Sequence, residues 1–261
     1  MHATDASWGK EELKNWPHNR KCYTYNGQTF TTDRLAGFDL IILVLCAFVL
    51  TDLVLFTATS AHPDLRDAMA LNADRPFSVA TAIFAHRDFG HLAGNLAFFA
   101  FLSIFFIGVN ASADLKMRRR LSRVFCLGSF LGGIAAGAVQ LYVWQSSSSF
   151  EITACGASGV VYTAMGILLA SALCGLPARL ARLRIIDYDQ FAADSSGIFY
   201  AVPFSACAAV LFTYMSLFET NSFFYVSQNT AWLCHELGFV FGLSASLLFF
   251  VLYYSKKYRG G

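Results

Sequence analysis

Long apolar runs broken by short polar segments set the rhythm of this chain. Stretches of about 20 apolar residues, the length a helix needs to cross hydrocarbon, fall at roughly 38–58, 88–109, 122–144, 155–174, 197–218 and 231–254. Inside a bilayer no water satisfies the backbone, so such runs must close their hydrogen bonds as helices. No stretch alternates with the two-residue period of a barrel strand. The pattern predicts an all-α membrane protein: a cytoplasmic segment over 1–36, a six-helix membrane domain over 37–254, and a basic cytoplasmic tail over 255–261.

Composition agrees and charge adds direction. With 56% hydrophobic residues, 14% charged ones and a mean hydropathy of +0.50, the chain is too apolar for a soluble domain. The opening MHATDASWGKEELKNW carries Asp5, Glu11 and Glu12 and lacks an apolar core, which supports neither a secretory signal nor a presequence. Seven cysteines form no CxxC pair, so a disulfide scaffold or a zinc site is not expected. A net charge of +2 does not suggest nucleic acid. Of the nineteen Lys and Arg, all but Arg66, Arg75 and Arg87 lie before the first span, between the second and third (with Arg123 at the edge of the third), between the fourth and fifth, or after the sixth. By the positive-inside rule both termini are cytoplasmic. The sequon Asn110-Ala-Ser112 then faces the cytoplasm and is expected to stay unglycosylated.

In this orientation the second, fourth and sixth spans run from the outer face inward, and each carries polar residues just after it enters. These are His91 and Asn95, then Ser158, then His235. At a rise of about 1.5 Å per residue they share a depth on the order of 5–12 Å below the surface. Taken alone, Ser158 reads as a small packing residue, as Ser103, Ser129, Ser205 and Ser244 do. GASGV also departs from the G-x-S-x-G elbow of soluble hydrolases, because Val160 occupies the last position. Intramembrane histidine is rarer and costlier, and marks a site by default; its bland alternative for His235 is an imidazole satisfied by a backbone carbonyl. HELGF fails the zinc motif HExxH at Phe239. His86, His91 and His235 could be imagined around a metal, but only Glu236, on another side of its helix, would complete the set, and neither metal nor cofactor is expected.

Taken together, the residues favour a serine hydrolase. A nucleophile, a base and oxyanion donors stand at one level, and Ser158 at a helix N-terminus receives the favourable end of the helix dipole. Tyr162, one turn below, can pack on His235. With no carboxylate clearly placed to orient that histidine, a dyad is more economical than a triad. Gly133 to Gly137, and Gly238 with Gly242 on the face of His235, offer small surfaces for close helix approach, whether for packing alone or to bring base to serine.

At these residues the sequence resembles the rhomboid intramembrane serine proteases. The match consists of His86-x4-His91-x3-Asn95 in the second span, GASGVVY from Gly156 to Tyr162 opening the fourth, with Gly159 after the serine, and His235-x2-Gly238-x3-Gly242 in the sixth. The resemblance implies a rhomboid-like six-helix bundle whose Ser158–His235 dyad cleaves peptide bonds in or near transmembrane segments of other proteins. It further implies an oxyanion site at His91, Asn95 and the Ser158 N–H, Tyr162 stacked on His235, and His86 holding the first external loop. Substrates would be transmembrane proteins reached through the lipid, at a site open to the non-cytoplasmic side. Phe77 and Ser78 stand where the family commonly carries Trp-Arg, the acidic residue often found at the inner end of the second span is replaced in Gly108-Val-Asn110, and Glu236 follows the histidine. Two other readings are a catalytically inactive relative that binds membrane clients, and a transporter. Relatives of the first kind generally lack the serine or the histidine; a transporter would continue its polar positions through both leaflets, and the inner halves of spans two, four and six are nearly free of them.

Overall fold

The computed structural model describes residues 22–25, 28–31, 35–146, 154–182, 198–219 and 231–259. Most of the segment 1–36, the basic loop after the fourth span, the last external loop and the final residues of the tail lie outside the described residues. The strands β1 (Cys22–Tyr25) and β2 (Gln28–Thr31) pair antiparallel, with Cys22 opposite Thr31. The helices follow: α1 (Asp39–Ala61), α2 (Pro63–Met69), α3 (Ser78–Thr81) running into a 3-10 turn at Ala82–Phe84, α4 (Phe89–Asn110), α5 (Leu115–Ser146), α6 (Ser158–Arg182), α7 (Ile198–Phe218) and α8 (Trp232–Arg259). Five of these are long and apolar enough to cross a membrane, and α7 adds a shorter apolar stretch over Val202–Met215. The result is the all-helical membrane bundle that the apolar runs predict, with the hairpin and the short helices as additions.

Two helix starts differ from the apolar runs by more than one residue, each for a local reason. α5 starts seven residues before the run at 122 because Asp114 caps it, its Oδ1 accepting from the Met117 N–H at 2.8 Å. Its first turns are therefore basic, and one of those cations is inside: buried Arg118 donates to the carbonyls of Ala111 (2.6 Å) and Ala113 (2.7 Å). It thereby satisfies backbone acceptors past the end of α4. Ser122 donates to Gly37 O at 2.7 Å, tying the start of α1 to the same corner. α6 starts at Ser158 rather than 155 because Gly156 holds a φ of +114°, outside the helical region. The sequon is closed by packing as well: Asn110 is buried and its Nδ2 donates to Phe106 O at 2.9 Å.

α6 is the central helix. In its span 72% of residues are buried, against 17% for α1, which meets lipid on most sides. α6 packs against α4, α5, α7 and α8, most extensively α8. Leu50, Ile104, Leu131, Val210 and Val251 point outward, as a bilayer solvent permits, while phenylalanine rings fill the inside: Phe106 against Phe125 at 4.5 Å and Phe48 against Phe130 at 5.1 Å.

Without a hydrophobic force between helices in lipid, close association rests on small residues. A Cβ at Gly238 would lie 2.7 Å from Gly159 O, one at Gly242 would strike the Thr163 carbonyl, and one at Gly166 would strike Phe239 O. A Cβ at Gly133 would be similarly tight against α6, 2.7 Å from Val160 N, whereas one at Gly137, its partner in the sequence pattern, would meet nothing within 4 Å. These glycines separate by test. Gly242→Leu is expected to lower the thermal midpoint in detergent by about 5 °C or more, through forced separation of α6 and α8. Gly137→Ala should leave it unchanged or slightly raised, since alanine gains roughly 0.5–1 kcal/mol over glycine within a helix. Equal effects would contradict this packing.

Candidate active site

Ser158 is the first residue of α6, where the leading N–H groups of a helix have no intrahelical partner. His235 lies in the first turn of α8. Seventy-seven residues apart, they meet: His235 Nε2 and Ser158 Oγ are 2.8 Å apart. Tyr162, one turn below the serine, stacks on the imidazole with ring centroids 4.5 Å apart and planes inclined by 18°. The start of α8 is held by a residue that sequence reasoning missed. Buried Gln140 on α5 accepts the Cys234 N–H at 3.3 Å, next to the histidine. A lone amide in an apolar span is the signal that could have singled it out.

The second group converges on the same place from α4. Asp88 caps that helix, its Oδ1 accepting the His91 N–H at 2.8 Å. That bond, with the Arg87 side chain beside it, holds the Asp88 carboxyl below the usual carboxylate range. One turn on, Asn95 is buried. A Cβ on Gly156 would lie 2.5 Å from His91 Cε1, 2.7 Å from His91 Nε2 and 3.3 Å from Asn95 Nδ2, so both side chains lie close against the backbone two residues before Ser158. Gly156 is therefore required twice, by its φ and by this approach. Gly159 and Gly238 let α6 and α8 meet closely beside the pair, with Cys234 Sγ 2.9 Å from where a Gly159 Cβ would be. The Cys155 thiol, near the serine, is pushed up by burial. Among the described residues no group of three His, Cys, Asp or Glu side chains is close enough to hold a metal.

The loop between α1 and α4 is bolted to this site without the Trp-Arg pair. Leu71 and Ala154 form a bridge, with N–H to O distances of 2.7 and 3.2 Å, and the Gly156 N–H donates to Ala82 O at 2.9 Å. Gln145 donates to Ala73 O at 2.7 Å and Arg75 to Asp67 O at 2.8 Å. Of the two residues at the Trp-Arg positions, Ser78 is buried and accepts from the Asn72 N–H at 3.0 Å, while Phe77 is exposed.

His86 is fully enclosed, with its ring 5.3 Å from that of His91 and its Nδ1 3.9 Å from Asp52 on α1. Burial, reinforced by the His91 imidazole, pushes His86 down to about 4, and weaker contributions from the Phe84 backbone and Asp88 do not offset this. Asp52 was not foreseen, although an acidic residue in VLTDLVL is itself a signal.

The site can activate a hydroxyl and receive an oxyanion, which yields two expectations. Gly156→Ala should slow labelling of Ser158 by a fluorophosphonate about a hundredfold, because it displaces His91; unchanged labelling would refute the convergence. The unfolded chain protonates His86 first, so its neutral burial costs nothing above pH 6.5, and stability should be lost as pH falls from there toward about 4. His86→Gln should flatten that part of a thermal midpoint against pH curve, and an unaltered slope would exclude His86 as its source.

Residues 73–252, more than half of the chain, match the Rhomboid domain. No curated protein and no solved structure matches the chain. The matched segment takes in every residue of the site from His86 to His235, and the chain belongs to the rhomboid family of integral, multi-pass membrane proteins.

Proposed function

We propose that this rhomboid-family chain is an intramembrane serine protease that hydrolyses peptide bonds in or near transmembrane segments of other membrane proteins. The observation that carries the reading is the 2.8 Å approach of Ser158 Oγ and His235 Nε2 beside a stacked Tyr162. In this mechanism His235 takes the serine proton as Oγ attacks the scissile carbonyl. The oxyanion accepts hydrogen bonds from His91, Asn95 and the Ser158 N–H at the positive end of α6. His235 then protonates the leaving amine, and water releases the acyl group by the same steps in reverse roles. Reading the basic loops as cytoplasmic places both termini there and opens the site to the other side. A transmembrane substrate must be unwound before attack, so segments with Gly, Pro or small residues near the outer face are favoured, since their helices fray at lower cost. Lateral access near α4 and α7 fits this requirement.

A relative that only binds clients has no need of a hydroxyl and an imidazole in contact. The test is cleavage of a transmembrane substrate in liposomes. Ser158→Ala and His235→Ala should each lower the rate by roughly a thousandfold or more while the protein remains folded, and Cys155→Ala should keep the wild-type rate. Substantial cleavage by either dyad variant would reject the reading.

A further inference from the structure

α1 buries few residues, yet Ile41, Phe48, Asp52 and Thr59 form an inward stripe, and the carboxylate at its centre is fully enclosed. An acid within an apolar span is costly to keep. Asp52 Oδ1 lies 3.9 Å from His86 Nδ1, both side chains at 0% exposure. That separation is too long for a hydrogen bond, and with His86 neutral the two groups are close polar neighbours and not an ion pair. Among the described residues neither carboxylate oxygen of Asp52 and neither ring nitrogen of His86 makes a side-chain hydrogen bond of ordinary geometry, and each group has the other within 4 Å. The His86 ring then stands edge-on to His91, with planes inclined by 70°. On its far side His91 abuts Gly156. A contiguous series therefore runs from α1 to the serine loop: Asp52, His86, His91, Gly156.

We propose that Asp52 is a positioning residue of the oxyanion site, which, paired with His86, holds the His91 imidazole in the orientation that aims Nε2 at the backbone before Ser158. The inference rests on the protease reading. Asp52 touches no reacting atom; it acts through His91. An oxyanion donor counts in the transition state more than in the bound substrate, so loss of aim shows in kcat and not in KM.

The experiment measures kcat and KM on a transmembrane substrate in liposomes, normalised to active sites titrated to completion with a fluorophosphonate. Asp52→Val is expected to lower kcat about tenfold, a fraction of the loss of a whole donor, with KM within about twofold. Asp52→Asn, of the same shape and polar, should stay within about threefold of wild type, and Asp52→Val should change kcat by less than about twofold when His91 is already Ala. Asp52→Val/His86→Leu removes both polar groups together and leaves neither orphaned, so it should keep its thermal midpoint while kcat stays about tenfold low. Wild-type kcat in that double variant, or an undiminished loss in the His91→Ala background, overturns the positioning role. If wild type neither cleaves nor labels at Ser158, the protease reading fails and this role falls with it; if wild type cleaves and the Asp52 variants match it, only the positioning role is lost.

Discussion

The contact between α6 and α8 is so close that side chains are excluded from it. Gly238 faces the carbonyl of Gly159, Gly242 faces that of Thr163, and Gly166 faces the backbone at Phe239. In lipid no hydrophobic force draws two apolar helices together, so this approach rests on dispersion and on the absence of Cβ atoms. The same contact sets the distance between the first residue of one helix and the first turn of the other. Widening it by one methyl group would separate Ser158 from His235, whose pairing tolerates only hydrogen-bond lengths.

Around that contact the remaining elements act as supports. α5 presses Gly133 against Val160 and lends Gln140 to the start of α8. The loop between α1 and α4 ties its backbone to Ala154 and Gly156, so the segment leading into Ser158 is held from both directions. At the opposite end of the bundle, Arg118 and Ser122 close the corner between α1, α4 and α5. Rigid supports at both ends suit a site whose donors must already be aimed when charge develops.

Much of this was legible in the sequence because the bilayer imposes so few solutions. Run length alone located the spans, and the scarcity of histidine in them isolated His91 and His235, which the structure brings beside Asn95 and Ser158 respectively. Helix ends were less legible, since a cap at Asp114 and a positive φ at Gly156 are local events that hydropathy does not register. The hairpin at Cys22–Thr31 and the short helices between α1 and α4 were invisible for the same reason. Of the two spaced glycines in Gly133 to Gly137, pattern could not tell which meets a neighbour. Asp52 and Gln140 carry meaning only through partners distant in the chain.

The central claim is that Ser158 Oγ, activated by His235, attacks a substrate carbonyl whose developing oxyanion is stabilised from the α4 side. The most direct measurement is an experimental structure of the phosphonylated protein. The account predicts phosphorus bonded to Ser158 Oγ, with the phosphoryl oxygen about 3 Å from both His91 Nε2 and Asn95 Nδ2. Phosphorus on another residue, or a phosphoryl oxygen turned away from those two nitrogens, would contradict it.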